Sequence, residues 1–252
     1  LFLFSFCLPC AAQEARFPVP TADGLLAAAT DTVCAPAHFD AKDWGYFGLF
    51  GAGFMGVYAA DKQIRNAFQR SRGNTTDKIS DVAYTFGQGQ YLLPELAAAY
   101  GISYMTDDRK LASTSIMAAE SFLIAGGVTT VLKYTFHQAR PNSAPDNNIW
   151  HGPSLDNYDQ SFPSGHATVA FAVAGVFAKQ YPDGAAPYAA YGVAGLCGLA
   201  RINADAHWAS DVLVGAAIGI FTARHVVESA TPVKVIPLVS QNSGGLMLAE
   251  KF

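Results

Sequence analysis

The chain has 252 residues, of which 51% are hydrophobic and 14% charged; its net charge is −4 and its mean hydropathy +0.18. That length suits one substantial domain, and with no basic footprint a nucleic-acid-binding role is excluded. Any anion site must be a local basic pocket on an acidic protein.

In chain order, the first twelve residues read LFLFSFCLPCAA. An apolar run closing on small residues resembles the core and cleavage site of a secretory signal. Residues 1–12 are therefore expected to be the remnant of a leader, cut after Ala12, on a protein exported to the periplasm or cell envelope. Cys34 and Cys197 would then remain. Cys197 sits in an Ala/Gly/Leu run and is expected as a buried free thiol, and no Cys/His grouping has zinc spacing.

Ala-rich apolar blocks predict helices over residues 44–60, 79–99, 110–140, 164–181, 185–201 and 207–228, with a polar segment at 61–78. Pro94 is expected to break the second block. Residues 13–230 thus read as one all-α helical domain. The polar stretch 142–160 is a long loop of the kind that carries function, and Trp150, His151 and Tyr158 in it are candidates for a substrate entrance. In the tail, 231–252, VKVIPLV and LMLAEKF flank SQNSGG, which predicts a β-hairpin. Two uncharged windows, 44–60 and 184–200, are each 17 residues long, the lower limit for a membrane span. A compact bundle, soluble or peripheral to a membrane, is the expectation.

Three segments carry the chemistry. From Lys133 the chain reads KYTFHQARP, which on one helix would put Lys133 and Arg140 on one face about two turns apart, able to grip an anion. From Ser161 it reads SFPSGHA, opening an apolar helix. Unpaired N–H groups at a helix start favour an anion, Ser164 adds a hydroxyl, Gly165 allows close approach, and His166 stands beside. From Arg201 it reads RINADAHWASD. His207 and Asp211, four apart, would share a helical face, the carboxylate fixing the tautomer that leaves Nε2 free as a nucleophile. Taken singly, each segment has a plainer reading: solvated cations, a capping histidine, a structural His–Asp pair at the start of a helix from Trp208. His137, in the spacer of the first segment, looks incidental.

Taken together, K-x6-R-P, P-S-G-H and R-x5-H-x3-D resemble the type 2 phosphatidic acid phosphatase (PAP2) superfamily, related to the acid phosphatases and vanadium haloperoxidases. The resemblance covers about residues 110–225 and departs at Ala200, where the family usually has Ser. It implies a helical bundle of the PAP2 type and phosphomonoester hydrolysis through a phosphohistidine. By position, His207 would attack phosphorus, Asp211 would orient it, and His166 would protonate the leaving oxygen and then activate water. Lys133, Arg140, Ser164, Gly165 and Arg201 would bind the phosphoryl oxygens. Phosphoryl transfer is mostly positioning and charge stabilisation. With three cations and no Asp cluster or P-loop, no metal or other cofactor is expected. Proximity to Asp211 and phosphate is expected to raise the His207 pKa, favouring mildly acidic to neutral pH. The substrate class stays open among lipid phosphates, polyprenyl pyrophosphate and soluble esters. A haloperoxidase, or a non-catalytic anion-binding protein at a membrane, are the alternatives.

Overall fold

The computed structural model describes residues 21–230 and the backbone of 234–240 and 243–249, so the leader reading for residues 1–12 lies outside the described residues. Eight α-helices run α1 Ala22–Cys34, α2 Ala41–Ser71, α3 Asn74–Thr85, α4 Gly89–Thr106, α5 Arg109–Phe136, α6 Gly165–Gln180, α7 Ala186–Asn203 and α8 Ala209–Ser229. Strands β1 Lys234–Ser240 and β2 Ser243–Ala249 pair antiparallel, Lys234 opposite Ala249. The fold is an all-α bundle with this two-stranded ribbon at its end.

Short polar side chains start several helices by satisfying orphan N–H groups. Asp40 and Asp43 form a reciprocal capping box on α2, and Asp108 accepts from the Leu111 N–H at the start of α5. Residues in the left-handed region end two of them: Asp107 after α4 and His137 after α5, at φ 54° and 42°.

One helix was not foreseen, and three expected element boundaries change. The Ala-rich segment before residue 44 forms α1, capped by Thr21. Helix α2 does not stop at the polar segment but runs on to Ser71. Its polar residues are spaced four apart and face the α7–α8 connection: Asp61 accepts from the Ser210 N–H (2.9 Å), Arg65 grips Asp205 with two bonds of 2.7 Å, and Gln69 donates to the Asn203 carbonyl (3.2 Å). Pro94 lies inside α4, and the break falls instead at residues 86–88. Helix α5 stops at Phe136 because the buried His137 turns the chain, its ring nitrogens 3.2 and 2.8 Å from the carbonyls of Tyr134 and Asp156.

Helix α6 is the centre of the bundle, packed by α5, α7 and α8. Val176 of α6 joins Leu96, Met117, Ala118, Ile124, Ala223 and Val226 in the main apolar core. The tightest contact is between α6 and α8. A Cβ at Gly215 would fall 2.6 Å from the Ser164 carbonyl oxygen, and one at Gly219 would overlap the Thr168 carbonyl and come within 2.7 Å of the Ala172 nitrogen. Only glycine lets the two backbones approach this closely. Asp211, Gly215, Gly219 and Ala223 follow at four-residue spacing, so the face of α8 that packs on α6 also carries Asp211 to the start of α6.

Candidate active site

Lys133, Arg140, Gly165, His166, Arg201 and His207 all line one cavity of about 510 Å³. They come from the end of α5, the segment after it, the start of α6, the last turn of α7 and the α7–α8 connection. Ser164 and Asp211 are wholly buried. The Ser164 N–H donates to the Asp211 carbonyl (3.0 Å), so the start of α6 and the first turn of α8 are tied directly together.

Two expected local geometries are corrected. Lys133 and Arg140 do not share a helical face. The helix ends at Phe136, and Arg140 stands in the segment where Gln138 bridges to Trp150. Both cations still reach the cavity, and both donate to the Gln160 carbonyl. His207 and Asp211 do not share a helical face either. His207 precedes α8, and Asp211 in its first turn accepts from the Trp208 N–H (2.9 Å), the plainer capping arrangement. The same carboxylate oxygen, Oδ2, accepts from the Ser161 hydroxyl at 2.6 Å and lies 3.5 Å from His207 Nδ1. That separation exceeds a direct hydrogen bond, so Asp211 faces Nδ1 without gripping it, and Nε2 is the nitrogen left for chemistry.

Three buried polar atoms of the site have no protein hydrogen-bond partner among the described residues: Ser164 Oγ, Arg201 Nε and Asp211 Oδ1. Buried donors and acceptors are rarely left so. A tetrahedral oxyanion in the cavity would give the serine hydroxyl and the guanidinium their missing acceptor, and the first N–H groups of α6 would add theirs.

The electrostatics reverse one expectation. Burial, then Lys133, Arg140 and Arg201, hold the His207 imidazole well below its ordinary pKa rather than above it. Burial and the same cations push His166 down to about 3. Burial drives Asp211 up against the bonds from Ser161 and Trp208. Without an anion, both imidazoles are therefore neutral and the site carries its positive charge on the arginines and Lys133.

Trp150, His151 and Tyr158 do not line the cavity. Trp150 packs on Phe136 and Phe162, and His151 pairs with Asp159 at 3.3 Å. The cavity is lined instead by residues 87–90 around the start of α4 and by Phe122, Gly126 and Thr130 of α5. Cys197 is buried and unpaired, and Cys34 is exposed. Reading the sequence alone gave no role to Ser161, Tyr84 or Asp61. The Ser161 hydroxyl sits inside the SFPSGH segment, where its adjacency to the helix start was a usable signal; the other two lie far away in sequence and offer none.

Residues 115–232 match the model of the PAP2 superfamily. Over 168 residues the chain is 32% identical to a lipid A 1-phosphatase of Porphyromonas gingivalis, an alignment covering 65% of this chain and 33% of that protein. The chain thus spans about a third of the length of that curated relative. Among solved structures it is similar to a transmembrane PAP2 type phosphatidylglycerolphosphate phosphatase from Bacillus subtilis, at a TM-score of 0.53 and 20% identity over 73% of this chain and 92% of that one. It also aligns with LpxE of Aquifex aeolicus at a TM-score of 0.48 and 23% identity, over 66% of this chain and 93% of that one. The Bacillus likeness extends to the fold.

Proposed function

We propose that this chain, whose residues 115–232 match the PAP2 superfamily, is a metal-independent phosphatase that hydrolyses phosphomonoesters of lipids through a phosphohistidine on His207. The observation that carries the reading is the convergence of Lys133, Arg140, Arg201, His166 and His207 on one cavity, backed by the partnerless Ser164 Oγ and Arg201 Nε. A lipid phosphate is favoured over a soluble ester by the name of the curated relative and by the apolar exterior of the helices.

In the first step Nε2 of His207 attacks phosphorus, forming the P–N bond as the ester P–O bond breaks. The leaving alkoxide takes its proton from His166. In the second step His166 takes a proton from water, whose oxygen attacks phosphorus; the P–N bond breaks and inorganic phosphate leaves. The low pKa of His207 in the empty site suits a neutral nucleophile. Once phosphorylated, the ring is cationic, and the facing Asp211 carboxylate compensates it. The substrate dianion offsets the cations and lets His166 hold the proton it must give. Lys133, Arg140 and Arg201 bear on the charge of the transition state, which a divalent metal would otherwise carry.

The test is a panel of lipid and soluble phosphomonoesters with EDTA present, wild type against His207→Ala. Chelator-resistant turnover should fall at least ~10³-fold in the variant, and rapid acid-free quenching should trap an acid-labile phosphoryl group on the wild type alone. Turnover that survives in His207→Ala removes the nucleophile assignment; loss of wild-type turnover in EDTA removes metal independence.

A further inference from the structure

His207 is faced by Asp211 and Ser161, but the ring nitrogens of His166 have no protein hydrogen-bond partner among the described residues. What holds the His166 imidazole is an aromatic face. The Tyr84 ring, in the last turn of α3, stacks on it with centroids 4.6 Å apart and planes 25° apart. The guanidinium carbon of Arg201 lies over the same Tyr84 ring, 4.6 Å from its centroid. Tyr84 itself lines the cavity. The corner that follows α3 reinforces the contact: a Cβ on Gly87 would come within 2.8 Å of both the Cβ and the carbonyl oxygen of His166. The end of α3 is thus pressed onto His166 by ring and by backbone. Tyr84 and Gly87 lie outside residues 115–232, the stretch that matches the family model.

We propose that Tyr84 is a positioning residue that holds the His166 imidazole and the Arg201 guanidinium against the bound phosphate. The proposal rests on the phosphatase reading above. A planar neighbour restricts rotation of the imidazole about its terminal torsion, which is otherwise broad. The π-face also attracts the guanidinium and shields it from water, fixing where its planar fork points. Because the face does the work and the hydroxyl makes no protein hydrogen bond among the described residues, phenylalanine should serve as well as tyrosine.

Proton donation to the leaving oxygen matters most when that oxygen is a poor leaving group. The experiment therefore measures kcat on octyl phosphate, a poor leaving group, and on p-nitrophenyl phosphate, a good one, in the same detergent solution. The wild type, Tyr84→Phe, Tyr84→Leu and His166→Ala are compared. Tyr84→Leu should lower the ratio of octyl to nitrophenyl turnover by about tenfold or more, in the direction of His166→Ala, which sets the limit. Tyr84→Phe should stay within about twofold of wild type on both substrates. Where the leucine variant loses its helical circular dichroism, Tyr84→Met, which also lacks a ring face, takes its place. Equal losses on the two esters would mean a merely structural role and overturn the proposal, as would Tyr84→Phe falling as far as Tyr84→Leu. A wild type inactive on both esters would instead count against the phosphatase reading. A ratio unmoved by His166→Ala removes the proton-donor role and the proposal with it.

Discussion

Lys133 is half-buried in the wall of the cavity with two arginines for company, and desolvation, Arg140 and Arg201 together bring its ammonium down to about 7. A bound dianion raises the Lys133 pKa, and it raises further that of Asp211, which burial has already raised. The sign follows. Below pH 7 Lys133 is protonated with or without the anion, so Lys133 adds no pH dependence there. Above 7 the empty site loses a proton that the occupied site keeps, and affinity falls by roughly tenfold per pH unit for each proton taken up. Tungstate, a tetrahedral dianion across this range, is the probe. Its affinity by calorimetry should drop from pH 7 to pH 9, with proton uptake revealed by buffers of different ionisation enthalpy. Lys133→Met should bind more weakly and show a shallower slope. A wild-type affinity that does not change between pH 7 and 9 would falsify this account of Lys133. The cavity-lining Lys133, Arg140, Gly165, His166, Arg201 and His207 were legible as candidates in the sequence because cations, imidazoles and a Ser-Gly turn are the residue types that would suit a phosphate. The Tyr84 ring was not, because an aromatic stacking partner reached through tertiary packing leaves no local spacing to read. The pKa of His207 was misjudged for a related reason: the sequence shows its neighbour Asp211, but not that burial and three distant cations outweigh it.

Helix α8 does two things with one face: it packs against α6 and it delivers Asp211. Gly219 is where the two tasks meet. Gly219→Ala would drive a methyl group into the backbone of α6 near Thr168 and Ala172. Overpacking of this kind costs about 1–3 kcal/mol. Since both elements are rigid, the strain should also lift Asp211 and the His207 connection away from Ser164 and His166. The variant should therefore melt several degrees lower by circular dichroism and lose activity more than its stability loss explains at a temperature where it remains folded. Full activity in a folded Gly219→Ala protein would separate the α6–α8 spacing from catalysis. The helices themselves were readable as Ala-rich blocks, and the ends of α6, α7 and α8 to within two residues; those of α2 and α5 were not. The polar residues Asp61, Arg65 and Gln69 look like a linker in one dimension. They are helical because, at four-residue spacing, they find Ser210, Asp205 and Asn203 across the bundle. Tertiary partners overrode a composition signal, as they did at His137, where burial and two carbonyls end a helix the pattern would have continued.

Across the whole molecule, apolar side chains face outward to a degree a water-bathed surface seldom shows. On α2, Trp44 is 54% exposed, Phe47 58%, Leu49 72% and Met55 60%. Leu123 and Val131 of α5 and Leu196 and Leu199 of α7 are at least half-exposed or nearly so. Helices α5 and α8 are also long and apolar enough, by length and composition, to cross a membrane. These features support a protein that works at a lipid surface, where its substrate's phosphate can enter while the rest of the substrate stays among lipids. The wild type should then float with phospholipid vesicles in a density gradient. Phe47→Glu with Leu49→Glu, two changes on the exposed face of α2 and away from the cavity, should reduce the floating fraction. Each charge placed against hydrocarbon costs about 2.5–3.5 kcal/mol. Hydrolysis of p-nitrophenyl phosphate in detergent should be unchanged, while hydrolysis of a lipid phosphate presented in vesicles should fall. A wild-type chain that stays monodisperse without detergent and leaves the vesicles behind would remove the lipid surface from this picture, and would leave a soluble ester as the substrate the cavity was built to take.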